Sequence, residues 1–584
     1  MIRRGQSPDD QLVKLTEEAD DTQYIEDACR IYGLNFAKIE GIGLVSNLDG
    51  TGSDPIPSGQ REHLIEELKS RGVEDPIKLL ASKNSSLVVL RGLLPPGLKK
   101  GERYDVEVKT LPKSETQSLE HGYLVETRMR PMAQLGRSVK QGHVTGYCKG
   151  GVLVDALFET RQDQPNQVRG WIFGGGVATE DRPLGLTMKT DHSVRTTSSI
   201  ARAINNRFTV VDESGRHGIA TAKSDSIVQL EVPDAYRNNI GRFMHVIMNI
   251  AYDEPDSKRV NRMDLLDQQI SNPALARVSA LRLEALGDEG VPALKRALRH
   301  HHSEVKFNAA QALCYMGEPD GIEIMEEMAK TEPSYRWHAL TALSSMDDLE
   351  AGSALTNLMH VDSAETRYGA FRAMRARSPQ DPLVKGKAMD DFYFHVVPTT
   401  GPPMLHLARS QRPELVCFGA DQTVTDDFMY VVTGLTIKSN GDGTVRIVRY
   451  ARDGEQRKVC STKIPEIVEA MSAVGCDYST MVKMFRESKQ AGKLNTRLVV
   501  NAVPKIGGGI PADESEEMAQ EQSEKHIVGP LPELFRTGDI SDKPARRAEM
   551  RLAGESNESK MGDPNQTRWS KIKGWFSNGK EEIQ

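Results

Sequence analysis

The sequence predicts an α+β protein in which two regions of mixed strands and helices are interrupted by an α-solenoid and followed by a disordered tail. Three observations carry this reading. Short β-rich runs punctuated by glycine, proline and aspartate turns fill residues 24–255 and 386–504. Between them, over residues 268–380, apolar positions recur every 30 residues. From Lys505 to Gln584 the chain turns to Gly, Ser, Glu, Asp, Asn and Lys, with too few apolar residues to form a core.

Taken in order, residues 1–23 are a polar, acidic extension. "SSLVVLRGLLPPG" and "ERYDVEVKTL" read as strands joined by the firm Pro95-Pro96-Gly97 turn, with Tyr104, Val106 and Val108 alternating onto one face. Ser58 caps a predicted helix with Leu64, Ile65 and Leu68 on one side. "DHSVRTTSSIARAINNRF" is a second helix, with Val194, Ile200, Ala201 and Ile204 expected on its buried stripe. In the solenoid, the series Ala280, Ala310, Leu340, Ala370 and Leu283, Leu313, Leu343, Ala373 share the 30-residue spacing. The series Leu294, Ile324, Ala354 marks a second helix in each unit. Neither helix of a pair can bury its apolar face alone, so about four units stack, the last truncated near Ser378-Pro379. "TGLTIKSNGDGTVRIVRY" is a hairpin turning at Asn440–Gly443. Two helices follow, one starting at Pro465 and one near Asp477 or Ser479, and "TRLVVNAV" closes the region as a strand. Within the tail, "RWSKIKGWF" (568–576) is a short basic-aromatic segment with roughly helical apolar spacing, which reads as a contact for a membrane surface, a contact for a protein partner, or plain disorder.

Composition narrows the function. With 584 residues, 38% apolar and 27% charged, the chain is large enough for several domains. A net charge of −7 gives no attraction to nucleic acid or anionic lipid, so no nucleic-acid partner is expected. Cys29, Cys148, Cys314, Cys417, Cys460 and Cys476 form no C-x-x-C pair and offer no zinc site; free buried thiols are the expected state, although Cys460 and Cys476 could bridge in an oxidising compartment. No apolar run approaches the ~20 residues of a membrane span. The opening "MIRRGQSPDDQLVK" lacks the apolar segment of a secretory signal.

"GIGLVSNLDGTGSD" (41–54) is the stretch most like a phosphate loop, but it has no lysine and ends in Asp54 and Pro55, where an anion would be repelled. The dinucleotide fingerprint fails as well, because Gly41 and Gly43 precede the strand-like "LVSNL" rather than opening a helix. These glycines are expected to permit tight turns and close backbone approach, with Asp49-Gly50 a hairpin-type turn. "FGGGV" (173–177) reads as a flexible turn between strands. His300, His301 and His302 fall at a junction of solenoid units; adjacent residues do not share a helix face, so a solvated loop is expected and no metal site. Acidic pairs such as Asp253/Glu254 and Asp347/Asp348 sit in turns. There is no G-x-S-x-G, no H-E-x-x-H and no catalytic constellation, and neither an enzyme nor a cofactor is expected.

The solenoid resembles a short HEAT-repeat array, and the regions around it resemble the flagellar P-ring protein family, whose members form the ring surrounding the rod of the bacterial flagellum. "IEDACRIYGLNFAKIEGIGLVSNLDGTGSD" is similar to that family's N-terminal signature, with Gly41, Gly43, Leu44, Asp49, Gly50, Thr51, Gly52 and Asp54 at its turn motif and Ser53 as an insertion or shift. "LLPPGLKKGERYDVEV", "LGLTMKTDHSVRTTSSIARAINNRF" and "IPEIVEAMSAVGCDYSTMVKMFRESKQAGKLNTRLVV" resemble later landmarks. The resemblance implies a non-enzymatic structural subunit that self-associates into a ring as a bushing for rotation. Its implied partners are further copies of itself, the rod and outer-ring proteins, and peptidoglycan, in the periplasm. It also implies that residues 41–54 form a turn at a subunit or rod contact, and that the solenoid is an insertion whose removal leaves a folded core. Family members are exported on a cleaved signal, so the expectation is a start placed too far downstream or a processed form, with a cytoplasmic relative as the alternative. The competing functional reading is a HEAT-type adaptor with the flanking regions as passengers.

Overall fold

The computed structural model describes residues 22–135, 138–158, 166–190, 192–212, 215–451, 454–503 and 532–534. The polar extension as far as residue 21, the 568–576 segment and nearly all of the tail lie outside these residues.

Six antiparallel strands close on themselves: β1 (Ala37–Ser46), β2 (Ser85–Leu94), β3 (Arg103–Thr110), β4 (Tyr123–Leu135), β5 (Gly146–Gly151) and β6 (Arg169–Ala178). Their order is β1-β2-β3-β6-β5-β4, and β4 pairs back onto β1, which makes the sheet a barrel. Period-two alternation drives it: Tyr104, Val106 and Val108 of β3 are buried, as expected. Register shifts interrupt the β1/β4, β3/β6 and β4/β5 pairings, and such bulges supply the bending that closure requires. "FGGGV" is therefore not a turn. It lies inside β6, buried, where a Cβ on Gly176 would stand 2.3 Å from the Tyr104 ring and one on Gly146 of β5 would stand 2.2 Å from its hydroxyl. The glycines make room for one large side chain inside the barrel.

A second, four-stranded antiparallel sheet joins Cys29–Tyr32, Leu184–Met188, Ile227–Leu230 and Ala220–Ala222. Helices Val194–Arg207 and Ile240–Met248 share its core. Ser193 caps the former, and Ile200, Ala201 and Ile204 are buried as expected, but Val194 is 65% exposed because the stripe begins a turn later.

The solenoid comprises helices Asp256–Gln269, Pro273–Leu286, Val291–Ala297, Ser303–Tyr315, Ile322–Thr331, Pro333–Ser344, Leu349–Leu358 and Ala364–Arg377. Ala280, Ala310, Leu340 and Ala370 occupy equivalent, almost wholly buried positions in alternate helices. Beyond it, a five-stranded mixed sheet contains two parallel pairs, Tyr393–Val397 with Glu414–Phe418 and Met404–Leu407 with Arg497–Val500. A four-stranded antiparallel sheet includes the expected hairpin, Leu435–Ser439 with Thr444–Ala451. Helices Ile464–Ala473 and Tyr478–Gln490 complete the region, the second capped by Asp477.

These parts share cores. One apolar cluster runs from the small sheet through the solenoid to Val397, Met404, Val416 and Phe418; another joins the barrel interior to Phe392, Leu405, Ile467 and Phe485 of the C-terminal region. Two fully buried carboxylates reinforce the junctions. Glu284, on the first solenoid helix pair, receives the Arg242 guanidinium (Nε at 3.1 Å) and the Tyr236 hydroxyl at 2.6 Å. Glu414, in the C-terminal sheet, receives Arg372 at 3.0 Å and Arg375 at 3.2 Å from the last solenoid helix, and the Tyr368 hydroxyl at 2.8 Å. Burial would raise the Glu414 pKa, but the two guanidiniums outweigh it and hold the carboxylate down at about 2. The tail at 505–584, expected to be disordered with the 568–576 segment as an exception, contains described residues at 532–534. Pro532, Glu533 and Leu534 are placed, and Leu534 is 2% exposed in the cluster that includes the solenoid.

Candidate assembly site

The residues singled out at 41–54 fall on two adjoining structures. Gly41, Gly43 and Leu44 lie within β1, not ahead of it, at the register shift where β1 meets β4. A Cβ at Gly43 would stand 2.5 Å from Thr127 Oγ1 and one at Gly41 2.8 Å from Arg128 O, so glycine is what lets these strands close the barrel. Leu44 faces outward from the barrel interior into a small cluster with Leu64, Leu68, Leu80 and Leu87, which seats helix Gly59–Ser70. Ser58 caps that helix, accepting from Arg61 N at 3.2 Å.

Asp49, Gly50, Thr51, Gly52 and Asp54 follow as a connection from strand to helix, not a hairpin. Thr51 N donates to Leu48 O at 2.8 Å, and Gly50 takes φ +87° at the third position of this turn, the conformation that favours glycine there. Gly52 threads beside the backbone of 83–85, donating to Lys83 O at 2.7 Å, and a Cβ would fall 2.2 Å from Ser85 O. Thr51 Oγ1 donates to Ser118 O at 2.8 Å, and Gly50 N donates to Asn84 Oδ1 at 3.0 Å. Asp49 and Gly50 are exposed at the tip; Asp54 is exposed and pairs with Arg61 at 3.2 Å. The motif thus presents an acidic tip on a barrel end, held by backbone contacts on both sides.

A neighbouring bridge ties this barrel end to the C-terminal region. His121 Nδ1 lies 3.3 Å from Asp477 Oδ2, and that hydrogen bond lifts the His121 pKa above its ordinary value. On another side, Asp105 of β3 accepts from Gly174 N at 2.7 Å and Gln411 N at 2.6 Å. Burial pushes its pKa up to about 7, despite those two donors. Sequence reading missed Asp105, Glu284 and Glu414; a charged residue inside an apolar run was the available signal for the last, in "PELVCF".

His300, His301 and His302 are at an exposed inter-helix loop, where His302 caps helix Ser303–Tyr315. Among the described residues no group of three His, Cys, Asp or Glu side chains is arranged to hold a metal ion. All six cysteines are free, Cys460 and Cys476 included. No helix among the described residues is long and apolar enough to cross a membrane.

Two protein families match parts of this chain. The model of the flagellar P-ring protein family matches residues 24–262, which span the barrel and the small sheet, and the HEAT-repeat model matches residues 263–336. Among curated proteins, the flagellar P-ring protein of Thermotoga maritima is 26% identical over 245 residues, 40% of this chain and 68% of its own. That of Pseudothermotoga lettingae is 28% identical over 248 residues, 41% of this chain and 70% of its own. The Aquifex aeolicus protein is 26% identical over 223 residues, covering 36% and 57%. Residues 24–262 are thus similar to the flagellar P-ring family, with the match to HEAT repeats set directly behind that segment.

Proposed function

We propose that this chain is a structural, non-enzymatic subunit of a flagellar basal-body ring, self-assembling head to tail around the rod in the periplasm. The observation that carries the reading is the match of residues 24–262 to the P-ring family, on a segment that contains the closed barrel, with the 49–54 turn at its end, and the small four-stranded sheet. Identical subunits joined through two different surfaces make a closed ring when the rotation between neighbours closes. In this reading the exposed Asp49-Gly50 tip and Asp54 meet a neighbouring subunit or the rod, while Gly41, Gly43, Leu44, Thr51 and Gly52 hold them in place. Residues 386–504 are the second half of the same subunit, a reading supported by the core they share with the barrel. That shared core also weighs against the flanking regions being passengers of a HEAT adaptor.

Electron microscopy of basal bodies from cells with and without the gene tests this. Loss of a ring around the distal rod is expected, with the same loss for a chain carrying Asp49→Lys and Asp54→Lys. An unchanged ring in the deleted cells would overturn the reading.

A further inference from the structure

Pro532, Glu533 and Leu534 lie in a niche where all parts of the molecule meet. Trp337 Nε1, from solenoid helix Pro333–Ser344, donates to Pro532 O. Glu533 N donates at 2.7 Å to the carbonyl of Asn238, just ahead of helix Ile240–Met248. The Gln411 side-chain amide, from the C-terminal region, donates to the Glu533 carboxylate, while Gln411 N is held by barrel residue Asp105. Leu534 supplies the apolar anchor. Three consecutive residues thus engage the P-ring segment, the solenoid and the C-terminal region through backbone, carboxylate and leucine at once.

The chain departs from the same place to which it returns. Asn501 Oδ1 accepts from Ser410 Oγ at 3.3 Å, and the next residue, Gln411, binds Glu533. Residues 504–531 lie between, enough chain to reach far more than the gap between two adjacent residues, at ~3.3–3.6 Å per extended residue. The length of chain between does not by itself fix where the motif sits, so the contacts in the niche supply the recognition.

We propose that the niche formed by Trp337, Asn238 and Gln411 is a peptide-docking site, and that its resident occupant is this chain's own Pro-Glu-Leu motif at 532–534. The motif acts as a removable clasp across the three regions. Tethered, it competes with any free peptide at an effective concentration of roughly millimolar order.

The test uses the full-length chain and a fluorescent synthetic peptide of residues 527–538, with binding read by anisotropy. The Leu534→Asp chain, its own clasp disabled, is expected to bind the peptide, and the unaltered chain to bind it at least about tenfold more weakly because the resident competes. Adding Trp337→Ala to Leu534→Asp is expected to abolish binding. Where the aspartate variant does not fold, Leu534→Ala replaces it. Absence of binding to the clasp-disabled chain, or equal binding to both chains, overturns the proposal. The experiment is independent of whether the chain builds a ring.

Discussion

The barrel and the solenoid solve the same burial problem in opposite ways. In the barrel, β1 and β4 are far apart in sequence yet hydrogen-bond to each other, and the sheet exists only once that pairing closes. In the solenoid each helix packs on its near neighbours, so every unit repeats one local solution. The barrel consequently depends on space: glycines at β1, β5 and β6 are shaped around Thr127, Met129 and Tyr104. The solenoid depends on charge at its two ends, where Glu284 and Glu414 answer buried arginines. One region is expected to be sensitive to added atoms, the other to removed charges.

The largest effect is expected at the charge end. Glu414→Ala leaves Arg372 and Arg375 facing a buried site without their carboxylate, and a loss of about 3–5 kcal/mol in urea unfolding is expected. Excising residues 268–380, which an independent insertion would tolerate, should likewise fail to leave a folded core, because it strands Glu414 and Arg242 together. Soluble, cooperatively unfolding protein from that deletion would break the comparison.

Next comes the barrel. Gly146→Ala sets a methyl against the Tyr104 hydroxyl, with an expected cost of about 1–3 kcal/mol. Tyr104→Phe removes that hydroxyl, so the double variant should lose less than the sum of the two. Strict additivity in the cycle would mean that space around Tyr104 is not the constraint. Gly50→Ala, where nothing lies within 4 Å of the added carbon, should lose only about 1 kcal/mol, from the positive φ alone.

A pH series sharpens the contrast. Burial lowers the His395 pKa to about 4 and that of His406 to about 3, although Glu414 draws both upward. Each is neutral in the fold and takes a proton more readily when unfolded, so stability is lost as pH falls below about 6.5 toward these values. Glu414 works in the same direction, since its lowered pKa gives stability that is lost as pH falls from 4.5 through about 2. Asp105 opposes them: its pKa is raised to about 7, so its contribution is full below 3.8 and lost as pH rises through 7. His406→Gln, which keeps an acceptor for Ala502 N, should flatten the acid limb of the unfolding curve. The smallest effect belongs to the exposed histidines: His300→Ser and His301→Ser should change stability by less than about 0.5 kcal/mol.

How much the residues disclosed in advance follows the same divide. The 30-residue columns were legible because a local repeat writes its packing directly into spacing. The hairpin at Asn440–Gly443 and the caps at Ser58 and Asp477 were legible for the same local reason. Barrel closure was not, since no local pattern announces that Ile39 will pair with Pro131. Glycines at 173–177 read as a turn because a glycine that makes way for Tyr104 looks the same in sequence as one that bends a chain. Pro532–Leu534 was hidden by its surroundings: three anchoring residues vanish in the average of a long polar segment.

The two carboxylate anchors also have a mechanical meaning. A stack of helix pairs lengthens or coils by small rotations at every joint, and it gives way most easily when one end is free. Here Glu284 fastens one end to helix Ile240–Met248 and Glu414 fastens the other to a β-sheet. A pull on either support is therefore expected to be borne along the whole stack as tension rather than released at a free end.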